Sequence, residues 1–567
     1  MPTTTSAPPA PVAATRHERL AAITRLAMRH RWTLAFGIAA VAIAAFRLAA
    51  LGQVPPGLDS DEASIGYNAW AIAHHGVDEH GAVMPLYFQA YDEFKNPIYI
   101  YLLAPFTWIL PLTSTTIRLP AALCGLVATG ALTLFAWRTT RNRAATLLTL
   151  VTAAFTPWLV IESRVGLEVI VEVTALSGAL LCLARGLDTP SRRGWLWAAG
   201  GLLGLSVLAY TTARLFIGLL VVVLALVDRR WRPSRELLPV HAPVVAVYAL
   251  LGLYAATGHA EALVHRFGQL WIGSDEAGVL VLAARFARNY ATYLGFPFLF
   301  THGDASLRQN PGDGGMLLVA MLPALALGVW AWWRRRDVLA TFVLCGLLVA
   351  PVPAALTADG TPQALRSAAK LPFLVAITVL GWAEIVRLLV SRRALIVVAS
   401  AALAFNVGGF AWDFMVRYPN RTVVDAQTFG ARTISTLETF EAGELDAVQR
   451  AHDLADGHRV WLSDAIYQAG EQALVAFTPA PRSTGSSAGD RAAELDEIGM
   501  SEEHDAGAIT PLARPCDVLV LGASETPPAG ATELLAETWT LQPDAETLTP
   551  GRSVTTVRVW RNPCLGP

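Results

Sequence analysis

The feature that most constrains this chain is its alternation of long apolar runs with arginine-rich joints. Apolar runs of about 17–25 residues are long enough to cross a bilayer as helices. Eleven are predicted, at 33–51, 117–137, 144–161, 168–185, 195–211, 214–228, 237–257, 315–333, 338–357, 369–390 and 394–412. Arginines gather at alternate joints: Arg138, Arg141 and Arg143; Arg185, Arg192 and Arg193; Arg229, Arg230, Arg232 and Arg235; Arg334, Arg335 and Arg336; Arg387, Arg392 and Arg393. The segment before the first run adds Arg16, Arg19, Arg25, Arg29 and Arg31. The positive-inside rule places all of these in the cytoplasm. The chain is expected to be a multi-pass plasma-membrane protein, with its N-terminus cytoplasmic and its C-terminal region outside. Only 16% of residues are charged, against about 25% in soluble proteins. With 43 basic and 45 acidic residues, no overall basic field points to nucleic acid.

Two apolar segments are assigned to the outer interface. Counting Pro97–Leu112 (PIYIYLLAPFTWILPL) as a span would invert every later joint. It is therefore expected to lie in or dip into the outer membrane surface, where Tyr and Trp are favoured. Segment 277–300 contains Arg285, Arg288 and Asn289 and receives the same reading. The predicted architecture is mainly α: a disordered N-terminus (1–32), a helix bundle over 33–412 with outer loops 52–116 and 258–314, and a terminal α/β domain (413–567). The first run follows a long polar stretch and reads as an uncleaved anchor. In the terminal domain, strands are expected at Arg459–Leu462, Val518–Leu521 and Val554–Trp560, helices at Ile434–Leu454 and Ile466–Phe477, and a loose crossover at 479–515. Cys516 and Cys564 are the two cysteines outside the spans. An oxidising compartment permits a bridge, but sequence alone leaves the pairing open.

The first outer loop carries Asp59, Asp61, Glu62, Asp78, Glu79, Asp92 and Glu93, with Lys95 its one Lys or Arg before the next span. A carboxylate near a low-dielectric boundary is suited to general-base chemistry. The plainer reading is a solvated loop whose charges keep it outside. Cations at other outer helix ends run against the positive-inside trend and call for a reason. These are Arg164, near Glu168; Arg214; Arg308, in a loop with His302 and Asp304; and Arg366. A phosphate would supply that reason, since guanidinium binds its oxygens bidentately. Singly, each is equally a snorkelling arginine or an ion pair, and Arg47 is expected to snorkel. His74, His75 and His80 match no firm metal-ligand spacing, so no cofactor is assigned, with a divalent metal the open alternative. No P-loop or dinucleotide-binding glycine motif occurs in a strand–helix setting.

These residues bring a resemblance into view. Asp61-Glu62, Lys95-Asn96-Pro97-Ile98, Arg118-Leu119-Pro120, Ser163-Arg164, Gly303-Asp304 and Ala364-Leu365-Arg366 occur in order. The set resembles the GT-C fold membrane glycosyltransferases, within them the protein O-mannosyltransferase and lipid A aminoarabinose transferase relatives, over about residues 33–412. Many relatives have two prolines after the His or Lys; here Asn96 stands in place of the first. The terminal domain does not resemble the β-trefoil of eukaryotic protein mannosyltransferases.

The resemblance implies a polyprenyl-phosphate-linked monosaccharide as donor and transfer to an acceptor hydroxyl on the outer face, with inversion. Asp61 would be the general base, with Glu62 orienting it or the acceptor. Lys95, Arg164, Arg366 and Arg214 would hold the donor phosphate. Asp78, Glu79, His80, Glu168, His302 and Asp304 would shape the site or the acceptor position. The partners expected are the donor and membrane lipid, the acceptor being unknown. The competing readings are a lipid transporter or flippase, which needs charged residues deep in several spans, and an envelope assembly factor.

Overall fold

The computed structural model describes residues 30–90, 93–187, 193–275, 278–311, 314–358, 361–425, 432–463, 466, 469–481, 487–503, 506–522, 525–540 and 553–564. The expected disordered N-terminus (1–32) lies almost wholly outside these. The chain is mainly helical. Its helices are α1 (Arg31–Leu48), α2 (Ser60–His75), α3 (Pro97–Ile109), α4 (Ser114–Thr140), α5 (Arg143–Ala154), α6 (Pro157–Glu162), α7 (Val169–Gly186), α8 (Arg193–Ala209), α9 (Thr211–Val227) and α10 (Leu238–Tyr254). Then come α11 (Glu261–Leu270), α12 (Val279–Leu294), α13 (Leu322–Arg335), α14 (Val338–Val349), α15 (Val352–Ala355), α16 (Lys370–Leu389) and α17 (Arg393–Trp412).

Each of the eleven predicted spans falls on a helix. Seven helical segments are long and apolar enough to cross a membrane, and α3, α5 and α9 are shorter apolar helices. The predicted span at 144–161 is broken into α5 and α6, with Pro157 opening α6. Proline has no amide hydrogen for a continuing helix, so a break here is natural. The bundle centres on α4, α7, α8 and α16, which pack on one another or on common neighbours. Close approach needs small residues: a Cβ on Gly381 would meet the Ala324 carbonyl oxygen at 1.7 Å. Helix α3 buries Tyr99, Ile100 and Leu103 and exposes Trp108 and Ile109.

Two buried arginines fasten the C-terminal end of α1. Arg47 does not snorkel; it is fully buried and donates to the carbonyls of Ala154 (2.6 Å) and Leu159 (2.7 Å). Arg164 donates to the carbonyls of Phe46, Arg47, Ala49, Ala50 and Val54 at 2.8–3.1 Å. The last carbonyls of a helix lack intrahelical partners and sit at its negative end, so a guanidinium satisfies them.

The terminal region forms a five-stranded sheet ordered β6-β5-β7-β9-β8. Its strands are β5 (Val460–Ser463), β6 (Met500–Glu503), β7 (Val518–Gly522), β8 (Thr532–Thr540) and β9 (Ser553–Arg561). β5 lies parallel to β6 and β7, while β9 is antiparallel to both β7 and β8. Val460, Leu462, Val518, Val520, Val557 and Val559 are fully buried. The sequence anticipated three of these strands. The stretch 479–515, expected as a loose crossover, contains the helix Ser487–Glu497 and strand β6. Ile434 lies in the hairpin strand Arg432–Ser435 (β4), paired with β3 (Thr422–Asp425), and the next long helix begins only at Glu444. Cys516 and Cys564 are bonded, tying the segment just before β7 to the segment just after β9.

Candidate active site

One end of the helix bundle encloses a cavity of about 460 Å³. Its charged lining comes from seven places in the chain: Asp61; Glu93 and Lys95; Glu168; Arg214; Arg266; Arg308; and Arg366, with Asn96 and Tyr210 beside them. Leu215, Leu263, Val264, Phe267, Leu270 and Leu365 make an apolar side.

Helix α2 positions Asp61. Asp59 is its N-cap: the Asp59 side chain accepts from the Asp61 amide at 3.0 Å, and Glu62 reaches back to the Asp59 amide at 3.5 Å. This capping box fixes the first turn. Successive side chains on a helix diverge by roughly 100°, so Asp61 and Glu62 face different surroundings. Asp61 is one-third exposed and looks into the cavity. Glu62 is fully buried behind it, paired with the fully buried Arg118 through Nε–Oε1 (2.8 Å) and Nη2–Oε2 (2.6 Å). The Gly166 amide donates to Glu62 Oε1 at 2.6 Å. Glu62, expected to orient Asp61 or the acceptor, does not line the cavity; it closes the capping box of the helix that carries Asp61 and pairs with Arg118.

Lys95 ends strand β2 (Glu93–Lys95), which pairs antiparallel with β1 (Phe88–Ala90). Its Nζ donates to both Asp61 and Glu93. Glu93 is bridged in turn by Arg266 Nε at 3.2 Å. On the far side of Asp61, Arg308 contacts Oδ2 at 3.3 Å and also pairs with Asp59. A chain of alternating charge thus runs Arg266–Glu93–Lys95–Asp61–Arg308–Asp59. Burial raises the Asp61 pKa, but Lys95 and Arg308 outweigh it and hold the carboxyl well below the usual range. Glu168, beyond Lys95, moves the other way: burial pushes it up, and Lys95 only partly offsets this.

Asn96 accounts for its own departure from the two-proline pattern. Its amide donates to Glu168 Oε1 at 2.9 Å, a bond proline cannot make. Its side-chain oxygen accepts from Arg214 Nη2 at 2.8 Å. Arg214 also donates to the Leu263 carbonyl at 2.7 Å and lies over the Tyr87 ring. Arg366 is nearly buried and donates to Thr357 Oγ1 at 3.2 Å. Asp304 accepts from the Ala364 amide at 2.5 Å and the Ser306 amide at 2.8 Å. It therefore holds the segment bearing Arg366 against the loop bearing Arg308.

Of the site residues that the resemblance implied, the cavity gathers Asp61, Lys95, Glu168, Arg214 and Arg366. It does not gather Arg164, whose guanidinium is taken up by five carbonyls, nor Glu62. Asp78 closes a turn by accepting from the amides of His80 and Ala82. Glu79 is buried, 3.6 Å from His80 Nε2, with its amide on Asn68. His302 is exposed beside Thr301. None of these four lines the cavity. Among the described residues, no group of three His, Cys, Asp or Glu is placed to hold a metal.

Arg266 was missed by the sequence reading. Its signal was present: a cation within an amphipathic helix, α11, in an outer loop. Arg308 stands in the sequence among the cations a phosphate would explain, but nothing local points it at Asp61.

Residues 95–254 match the family model of dolichyl-phosphate-mannose-protein mannosyltransferases. The crystal structure of ArnT from Cupriavidus metallidurans bound to undecaprenyl phosphate superposes with a TM-score of 0.58 at 14% identity, covering 95% of this chain and 99% of that one. Its apo form gives the same score, covering 95% and 100%. The Archaeoglobus fulgidus oligosaccharyltransferase in complex with Zn and sulfate gives a TM-score of 0.47 at 12% identity, covering 86% of this chain and 68% of that one. No curated protein matches significantly. The resemblance seen in the sequence holds: this is a GT-C-like, mainly α membrane protein, similar to glycosyltransferases, with a terminal α/β region.

Proposed function

We propose that this chain is an inverting glycosyltransferase that uses a polyprenyl-phosphate-linked monosaccharide on the extracytoplasmic side of the plasma membrane. The observation that carries this reading is the meeting of Asp61 with Lys95, Arg308 and Arg366 in one cavity with an apolar side. The cavity is rich in cations, as a phosphate leaving group requires. Its apolar residues from α11 offer a path for an isoprenoid tail. ArnT, whose fold this chain shares, binds undecaprenyl phosphate, and we assign the same class of lipid here.

In the proposed reaction an acceptor hydroxyl attacks the anomeric carbon. The bond from that carbon to the phosphate oxygen breaks, and polyprenyl phosphate leaves with the electron pair. The hydroxyl proton passes to Asp61. Lys95, Arg308 and Arg366 stabilise the departing charge, with Arg266 and Arg214 at the periphery. Asp61 is held by Lys95 and Arg308 and by itself is a weak base. A bound phosphate competes for those same cations, which weakens their hold on Asp61 and raises its basicity. We assign no cofactor, because the chain's own cations supply the charge the step needs.

The test is to incubate purified protein with a panel of polyprenyl-phosphate hexoses and pentoses and to follow release of polyprenyl phosphate. Consumption of one donor, lost in Asp61→Asn, supports the reading. Lipid movement across vesicles without consumption of any donor would favour a transporter instead.

A further inference from the structure

The opposite end of the bundle holds a second cavity, of about 240 Å³, lined by Leu134, Trp137, Arg138, Arg141, Arg185 and Trp195. Its distance from the first follows from α7. Glu168 immediately precedes that helix and lines the outer cavity, while Arg185 near its end lines this one. Seventeen helical steps span roughly 26 Å, close to the thickness of a bilayer's hydrocarbon core. The two cavities therefore belong to opposite leaflets.

We infer that this second cavity is a headgroup site for an anionic membrane phospholipid of the cytoplasmic leaflet. Three guanidinium groups from two different joints converge on it, and none of its six lining residues is acidic. The Arg185 guanidinium stacks on Trp195 at 4.5 Å, and Arg141 lies 5.7 Å from the Trp137 ring. Stacking restricts a guanidinium in orientation while leaving N–H edges for an oxyanion. Among the described residues, neither Arg141 nor Arg185 pairs with a carboxylate. Tryptophans at this level are characteristic of the lipid–water boundary. Leu134, half exposed on the bilayer side, offers an apolar surface for the first acyl carbons. A basic pocket between helices at this leaflet suits a phosphodiester headgroup.

The experiment measures thermal unfolding of the detergent-purified chain titrated with dioctanoyl phosphatidylglycerol, dioctanoyl phosphatidylcholine or inorganic phosphate. The expected result is a saturable rise in melting temperature with phosphatidylglycerol alone. Arg141→Gln and Arg185→Gln should each weaken the apparent affinity about fivefold, the scale of one basic residue at an anionic surface. Arg141 is exposed at a helix end, so its variant decides the matter should Arg185→Gln fail to fold. An equal response to phosphatidylcholine, an equal response to inorganic phosphate, or wild-type affinity in Arg141→Gln would overturn the proposal. So would a response abolished by Lys95→Ala and kept in Arg141→Gln, which would place the lipid in the outer cavity.

Discussion

Asp61 and Glu62 are adjacent in the chain, yet one faces a cavity and meets Lys95 while the other is sealed against Arg118 at 2.6 Å. One helical step separates a group that can touch a substrate from one that holds the wall. The consequences of changing them should differ accordingly.

Asp61→Asn removes the proposed base and keeps its size. Transfer should fall about 10²–10⁴-fold, the range for loss of a general base. Donor binding, measured by calorimetry, should persist. Turnover near the wild-type rate would remove Asp61 from the chemistry.

Arg118→Met leaves Glu62 buried without its counter-charge, a change that costs about 3–5 kcal/mol. Thermal unfolding should register the loss. For Glu62→Gln, turnover per folded molecule should change far less than for Asp61→Asn. A folded Glu62→Gln protein as inactive as Asp61→Asn would restore Glu62 to the reaction.

The pH dependence follows from the depressed Asp61 pKa. In the free protein Asp61 stays ionised below the ordinary carboxylate value, near 3.9. The acid limb of kcat/KM should therefore lie lower than for an unperturbed carboxylate. Lys95→Ala removes the leading attraction and leaves burial to act, so the limb should move to higher pH. The same sign governs stability. The Asp61–Lys95 pair adds stability that is present above the unfolded pKa and is lost as pH falls toward the folded one. An acid limb that does not move in Lys95→Ala would contradict the pairing.

Asn96→Pro restores the two-proline pattern but deletes the amide that donates to Glu168 and the side chain that holds Arg214. Loss of one hydrogen bond to a charged group is worth about 1.5–3 kcal/mol. A roughly ten- to hundredfold loss in kcat/KM for donor should follow. Asn96→Ala, which keeps the amide, should lose less. Equal activity in all three proteins would show that these contacts are idle.

Much of the architecture was legible in the chain itself, because hydropathy and arginine placement act locally. An apolar run of sufficient length becomes a helix wherever it packs, so all eleven runs fall on helices. The apolar stretch Pro97–Leu112 likewise yields the helix Pro97–Ile109. Less visible were the short strand β6 and the helix at Ser487–Glu497, hidden in a segment rich in Pro, Ser and Gly. What only the tertiary structure decided was the company each charge keeps. Arg164 and Arg366 look alike as isolated cations near outer helix ends. One caps the carbonyls of α1 and the other faces the cavity. Arg308 meets Asp61 across 247 positions of chain. Such contacts depend on how distant helices pack, and no local pattern carries that information.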